Sequence, residues 1–483
     1  TLNDARLIMT AGVNAAGGVI NLNGQFRDNQ FGAIATPVTS DNENQLLRFF
    51  VRGSDQAVVN ARQQWDSAGL IFVENGILRY EGDGNFWTPL AAANMNAANG
   101  QSGMRIGGNS NNWNAAVILT KPGQALNIGR IDIGGDGTTD YNQFGNNMLA
   151  GTNNSGTVTF GDGTDRVVFN GANAANNFVR DLTAYQAGGG TMELNFRLDD
   201  TDGDSHTSFT KIGRGVVNFN GQNDVNGAAQ DGDVEQLNMS GGLLRLTNYG
   251  NATGRRFDAG AMITLAGGGI EMDGASSIQN ETANYTGVAV GVLSNFPTAQ
   301  TLIAPGGSDV IVTSKAGRTT TMNIGSLTLA TNRQSGGTVN FVENGNGGTS
   351  NITLLGSGGG SIQADDTPYA WATYGDSYTY NAAAATYSLN ALDFAMTTGG
   401  SGDLAAFAGA SRQNEDDVTL WTGENDVSEG LAGFNGGAAA SPVNTLHFDF
   451  DGAGSIAATN GLVVTSGGIM VSSTVLTGAK AII

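Results

Sequence analysis

The stretch from Phe209 to Leu246 alternates very short apolar runs with turns built on glycine or asparagine, and no helical period appears in it. Its runs are Phe209-Thr210-Lys211-Ile212, Val216-Val217-Asn218-Phe219, Leu237-Asn238-Met239 and Leu243-Leu244-Arg245-Leu246. Large or β-branched apolar residues alternate with small polar ones, the pattern of strands with one buried face. The turns carry Gly because it reaches positive φ at low cost. Pieces of this motif recur. Gly17-Gly18-Val19-Ile20-Asn21-Leu22-Asn23-Gly24-Gln25 nearly repeats Arg214-Gly215-Val216-Val217-Asn218-Phe219-Asn220-Gly221-Gln222. A Gly-Gly pair before an apolar run returns at Gly189, Gly241, Gly268, Gly336 and Gly467. From Gly190 to Gly242 to Gly269 the steps are about 52 and about 27 residues, two repeats and one. Strands this short cannot bury an apolar face alone, so such repeats must stack. The expected fold is all-β: an elongated parallel β-solenoid with loop and aromatic excursions.

Composition agrees with thin β-structure and many tight turns. Gly supplies 74 of 483 residues, Pro only 7, and charged residues 13 %, while 40 % hydrophobic content is enough for a core. Cysteine is absent, so stability must come from packing and ladder hydrogen bonds rather than disulfides or thiolate metal sites. Lys and Arg number 22 against 43 Asp and Glu, a formal charge of −21, with no basic cluster in the sequence. That balance argues against nucleic acid and anionic membrane as partners. No run approaches ~20 consecutive apolar residues, so no membrane-spanning helix is expected. The sequence begins at Thr1; either the sequence was simply cut there or a leader was removed on export. With the composition, the second reading places the protein outside the cell or at its surface.

Along the chain, residues 1–40 read as opening strands or a cap, with Ala5–Met9 and then Gly17–Leu22. Residues 41–103 are less regular. Ser54–Arg62 and Pro89–Asn94 each suggest a short helix, and Leu70–Val73 and Ile77–Tyr80 suggest strands joined by a Glu-Asn-Gly turn. Residues 104–364 hold a steady strand–turn rhythm, the solenoid body. Residues 365–445 interrupt it with an aromatic and then an acidic segment, read as a lateral excursion, and strands resume over 446–483.

The 209–246 stretch resembles the autotransporter-associated β-strand repeat: an apolar-Thr-Lys-x-Gly-x-Gly opening, a Gly-x-Asn turn, then Gly-x-Leu-x-Leu. Lys211, Gly213, Gly215, Gly221, Asn223 and Gly242 fill its places, while the aromatic after Asn223 is missing and an insert stands at Ala228–Asp233. Leu327–Ala330, Gly337–Phe341, Tyr369–Tyr374 and Asn460–Ile469 are similar to passenger regions of very large exported proteins in planctomycete- and verrucomicrobium-type bacteria. The resemblance covers about residues 200–480. It implies a right-handed β-helix at the cell surface.

Few residues suggest chemistry. Asp200, Asp202 and Asp204 have the odd-position carboxylates of a Ca²⁺ loop, the one cofactor suggested, but lack its following Gly and bidentate Glu; a solvated turn is the competing reading. Asp132, Asp136, Asp140, Asp162 and Asp165 read as turn acids, and Glu415-Asp416-Asp417 as an exposed run. The only histidines, His206 and His447, have no Cys beside them, no Gly-x-Ser-x-Gly elbow precedes a helix, and no phosphate-binding loop is present. No enzyme activity is expected. Tyr369, Trp371, Tyr374 and Tyr378 form a sugar-stacking platform, a hydrophobic lid over the solenoid flank, or a subunit contact, where Tyr and Trp are enriched.

Gly461–Ile483 is apolar and carries a single charge, Lys480. Such an end suits pairing with another copy. The leading expectation is a secreted structural protein assembling head to tail, with Leu7, Ile8, Met9, Val463, Val464, Ile469, Val471, Val475 and Leu476 at the junction. A monomeric adhesin binding cell-surface glycans is the alternative, and a polysaccharide-degrading β-helix enzyme the third reading.

Overall fold

The computed structural model describes residues 6–11, 18–24, 48–53, 57–65, 71–87, 104–107, 114–127, 130–133, 147–169, 179–200, 206–221, 234, 236–247, 261–274, 281–285, 302–303, 305–324, 336–354, 363–364, 367–368, 371–398, 403–406, 426–429, 434–435, 441–448, 456–457 and 462–471. These are mostly β-strand, in a largely parallel sheet, with no α-helix among the described residues. The chain divides into two compact units, one formed by Thr1–Ile263 with Val288–Thr298 and Asn381–Thr386, the other by Thr264–Gly287, Ala299–Tyr380 and Tyr387–Ile483.

In the first unit the strands fall into three parallel series. One runs through Arg6–Ala11, Arg48–Gly53, 71–73, Met104–Ile106, Arg130–Ile133, 165–169 and 196–200. A second takes Val19–Leu22, Val58–Ala61, 77–80, Ala115–Leu119, Asn147–Gly151, 182–186, His206–Ile212 and Gln236–Ser240. The third takes Ala125–Leu126, 157–160, 191–194, Val216–Phe219 and Leu243–Leu246. Register stacks like on like. Phe49, Ile71, Met104, Ile131, Val167 and Leu198 form one buried column, and Leu126, Phe160, Leu194, Phe219 and Leu246 another. Each such side chain contributes about 1.5–3 kcal/mol by leaving water. Ser208 and Asp181 on neighbouring strands are 27 residues apart, Asn238 and Thr210 28, Asn218 and Glu193 25. Over 181–238 this matches the spacing of the glycine pairs, whereas Arg62 and Glu81 are 19 residues apart and Asn60 and Asn21 39.

Two local expectations are corrected. Within Ser54–Arg62, the stretch expected as a helix, Val58–Ala61 is a strand, because Val59 and Ala61 point inward in register with Leu78 and Tyr80. Leu70–Val73 and Ile77–Tyr80 do not form a hairpin. They are the two halves of one strand, Ile71–Tyr80, and pair with different series. The change occurs at Asn75-Gly76, where Gly76 has φ 128° and Asn75 Nδ2 donates to Gly53 O at 2.6 Å. An Asn-Gly pair makes a chain turn back only when the flanking runs can pair with each other; here each half is already paired on both sides.

In the second unit one parallel series joins Gly269–Asp273, Gly306–Thr313, Gly337–Asn344 and 372–375, and another joins Glu281–Tyr285, Thr319–Ile324 and Thr349–Leu354. Gly269–Asp273 is buried on both faces, as parallel strands generally are. Within the segment expected as a lateral excursion, 372–375 stays in the ladder, with Phe341 opposite Tyr374 and Val342 opposite Gly375. Beyond it, 395–398 pairs antiparallel with Asp403–Ala406. Asp426–Glu429, Ser441–Phe448 and Leu462–Val471 form a further parallel three-stranded sheet.

Candidate functional site

The residues expected at an assembly junction lie on edge strands. Leu7, Ile8 and Met9 sit in Arg6–Ala11, opposite Phe49, Phe50 and Val51, and this strand pairs with Arg48–Gly53 alone among the described residues. Val19–Leu22 likewise pairs only with Val58–Ala61, and Val19 is 61 % exposed. Val463, Val464, Ile469 and Val471 belong to Leu462–Val471, which pairs only with Ser441–Phe448 among the described residues. An edge of this kind, with one side of its ladder facing no strand among the described residues, is a template for another strand. Val475 and Leu476 lie outside the described residues.

The aromatic segment is set against carboxylates. Trp371 and Tyr378 are buried, at 5 % and 9 % exposure. Tyr378 OH donates to Glu271 Oε2 at 2.7 Å, and Thr313 Oγ1 donates to Glu271 Oε1 at 3.0 Å. Tyr374 OH donates to Glu343 Oε2 at 2.7 Å, and Tyr387 OH to Asp309 Oδ2 at 2.8 Å. Burial, then the neighbouring carboxylate, pushes both Tyr374 and Tyr387 above the ordinary phenol range. Burial raises the Asp309 carboxyl, against the opposing bonds from Tyr387 and Asn340. Stacking on a sugar requires an open ring face; of the aromatics singled out in the sequence, Tyr374 is half-buried and Tyr369 lies outside the described residues. Chemically the arrangement is a set of phenol–carboxylate bonds that ties Tyr374, Tyr378 and Tyr387 to the strands bearing Glu343, Glu271 and Asp309.

The motif residue Lys211 occupies an unexpected place. It points inward, in the column of Val59, Leu78, Val117, Leu149, Ala184 and Met239, and is fully buried. Its Nζ donates to Ile212 O at 3.0 Å, Gly213 O at 2.9 Å and Gly241 O at 2.9 Å. The ammonium thus has three acceptors for three protons and joins two successive turns. Gly242 leaves the room: a Cβ there would stand 2.8 Å from Lys211 Nζ and 2.2 Å from Gly215 O. Two buried amides hold earlier turns in the same way. Gln124 accepts from the N–H groups of Thr120 and Lys121 and donates to Gly82 O, while Gln186 donates to Asn153 Oδ1 and Ala187 O. Only the Thr-Lys-x-Gly motif hinted at this role; Gln124 and Gln186 stand in no comparable motif.

Withdrawal from water pushes Lys211 down to about 7 from its ordinary 10.5, winning over the carbonyls, which favour the ammonium. The sign follows. Below about pH 7 both folded and unfolded chains hold the proton and the folded state carries the full burial penalty. Between about 7 and 10.5 the unfolded state binds more protons, so stability rises with pH. Denaturant unfolding of wild type and Lys211→Met from pH 7 to 10 is expected to show that rise in wild type alone. Parallel slopes would contradict it.

Asp200 ends the strand Thr191–Asp200, and Asp202 and Asp204 lie outside the described residues. Among the described residues no group of three or more His, Asp or Glu is placed to hold a metal. Asp165 and Asp132, expected as turn acids, are instead buried within the strands Thr157–Phe169 and Arg130–Ile133; Asp165 Oδ2 accepts from the Asp162 N–H at 3.2 Å. Asp136, Asp140 and Glu415-Asp416-Asp417 lie outside the described residues. Asp181 gathers hydroxyls: Oδ1 accepts from Ser208 at 2.6 Å and Thr210 at 2.8 Å, Oδ2 from Thr183 at 2.7 Å. No helix among the described residues is long and apolar enough to cross a membrane. Comparison with protein-family models, with curated proteins and with solved structures gave no match.

Proposed function

We propose that this is a secreted structural protein whose copies join strand edge to strand edge into fibres or layers. In this reading the parallel series are the faces of a β-solenoid, each coil shielding its neighbour's apolar side and the last coil left open. The observation that carries it is that Arg6–Ala11 and Val19–Leu22, at the start of two series, each pair on one side only among the described residues, with Val19 exposed. Leu462–Val471 supplies a second open edge of different sequence. Pairing one kind of edge with the other is heterologous, and such contacts propagate as open filaments when the rotation does not close. A formal charge of −21 opposes indiscriminate clustering, so the join must come from backbone bonds and apolar side chains. Absence of cysteine and the Gly-, Asn- and Thr-rich composition support an extracellular location.

Electron microscopy and sedimentation of the purified protein test this. Fibres or sheets are expected for wild type, and monomers of unchanged melting temperature for Val19→Lys combined with Val471→Lys, since edge lysines block strand addition. A wild-type protein that stays monomeric as its concentration is raised would sink the reading.

A further inference from the structure

The first unit holds an open groove of about 700 Å³ lined by Arg62, Arg79, Glu81, Thr120, Lys121 and Thr152. Three of six lining residues are cationic in a chain with 22 Lys and Arg against 43 Asp and Glu. The groove crosses the second series just past its strand ends. Ala61, Tyr80, Leu119 and Gly151 stand in register, so Arg62, Glu81, Thr120 and Thr152 follow as one column. Backbone bonds from Glu81 N to Ala61 O and from Thr152 N to Leu119 O carry the ladder through it. Four ladder positions about 4.8 Å apart make a linear site about 14 Å long.

The cations are not equally engaged. Arg62 donates to Glu81 Oε2 at 3.1 Å, Asn23 Oδ1 at 3.1 Å and Asn21 Oδ1 at 3.3 Å. Lys121 Nζ meets Asp83 Oδ1 at 2.9 Å, a partner 92 % exposed and easily exchanged. Arg79 is half-buried and has no hydrogen bond or ion pair among the described residues. Its fork of N–H donors therefore faces the groove ready for a bidentate anion.

We propose that this groove binds a linear polysaccharide bearing carboxylates, with Arg79 and Lys121 taking the carboxylates and the column of Thr120 and Thr152 taking sugar hydroxyls. A duplex nucleic acid, with one charge per about 1.7 Å, is repelled more strongly by a chain at −21 than a polysaccharide with one carboxylate per sugar, whose neutral hydroxyls also match cations set among threonines. The proposal does not rest on the assembly reading, although Arg62 joins the groove to the edge strand Val19–Leu22 through Asn21.

Calorimetric titration with a hexamer of galacturonic acid, a neutral hexamer of galactose and a glutamate hexapeptide tests it. Binding of the uronate alone is expected, weakening with salt. Arg79→Ala and Lys121→Ala are each expected to weaken it about tenfold or more, and Arg79→Lys less, since it keeps charge but loses the fork. Melting temperatures verify that the variants are folded. No uronate binding, binding unchanged by Arg79→Ala, or equal binding of the peptide would each overturn the assignment.

Discussion

Gly221→Ala is expected to remove more than about 3 kcal/mol of stability, while Gly24→Ala, at the matching place in the repeated motif, leaves the monomer almost unchanged. A Cβ at Gly221 would stand 1.6 Å from Phe196 O and 2.5 Å from Phe196 C. Both are backbone atoms of Thr191–Asp200, where Phe196 is held opposite Asp165 and the adjoining 191–194 is paired on both sides, to 157–160 and to Val216–Phe219, so a retreat would disturb both ladders. Asn220 N is bonded to Leu194 O at 2.9 Å, which fixes Gly221 against that strand. At Gly24 an added Cβ has nothing within 4 Å. The motif is the same; what differs is the strand beneath. Chemical denaturation of the two variants checks this, and equal losses would contradict it. If copies stack on Val19–Leu22, Gly24→Ala should also impair assembly while sparing the monomer's melting temperature.

The second large effect is expected at Glu271. Its carboxylate is fully buried and accepts from Tyr378 and Thr313, the former 107 residues away in sequence. Tyr378→Phe withdraws a donor from a buried carboxylate and is expected to cost about 2–3 kcal/mol. Glu271→Leu leaves two buried hydroxyls without their acceptor and is expected to cost about 3 kcal/mol or more. The double variant should lose less than the two added together, because neither partner is then left facing an absent one. Tyr374→Phe is the comparison. Glu343 keeps the Ile352 N–H, and Tyr374 is half-buried, so the loss should stay under about 1.5 kcal/mol. Additive losses at Glu271 and Tyr378 would show that the bond between them contributes little.

Much of the strand pattern was legible. The runs at Ala116–Leu119, Thr157–Phe160, Val310–Val312 and Ile352–Leu354 all lie in strands, because alternation and Gly turns are local properties. The apolar runs holding Leu7–Met9 and Val463, Val464, Ile469 and Val471 lie in strands that each pair with one neighbour among the described residues, since apolar runs can be read without knowing their partners. What failed depends on partners. Asn75-Gly76 reads the same whether the chain folds back or passes to another series; only the pairing of Val73 with Ile106 and of Ile77 with Ala116 decides. The buried roles of Lys211, Gln124 and Gln186 need the preceding or following turn to be in place. Glu271 resembles any strand-borne acid until Tyr378 covers it. The groove was hidden for the same reason: Arg62, Arg79 and Lys121 form no cluster in the sequence and meet only through register.

Neighbouring positions in one series need not be evenly spaced in sequence. Arg62 and Glu81 are 19 residues apart, Asn60 and Asn21 39, Thr210 and Asp181 29, yet each pair meets across adjacent strands. The connecting segments therefore absorb differences of some twenty residues while the hydrogen-bonded frame is kept, and lengthening a loop twofold costs only about 0.6 kcal/mol. Evolution, or a protein engineer, can graft foreign peptides between strands and leave the frame standing. A regular array of such chains would then exhibit its cargo at fixed intervals.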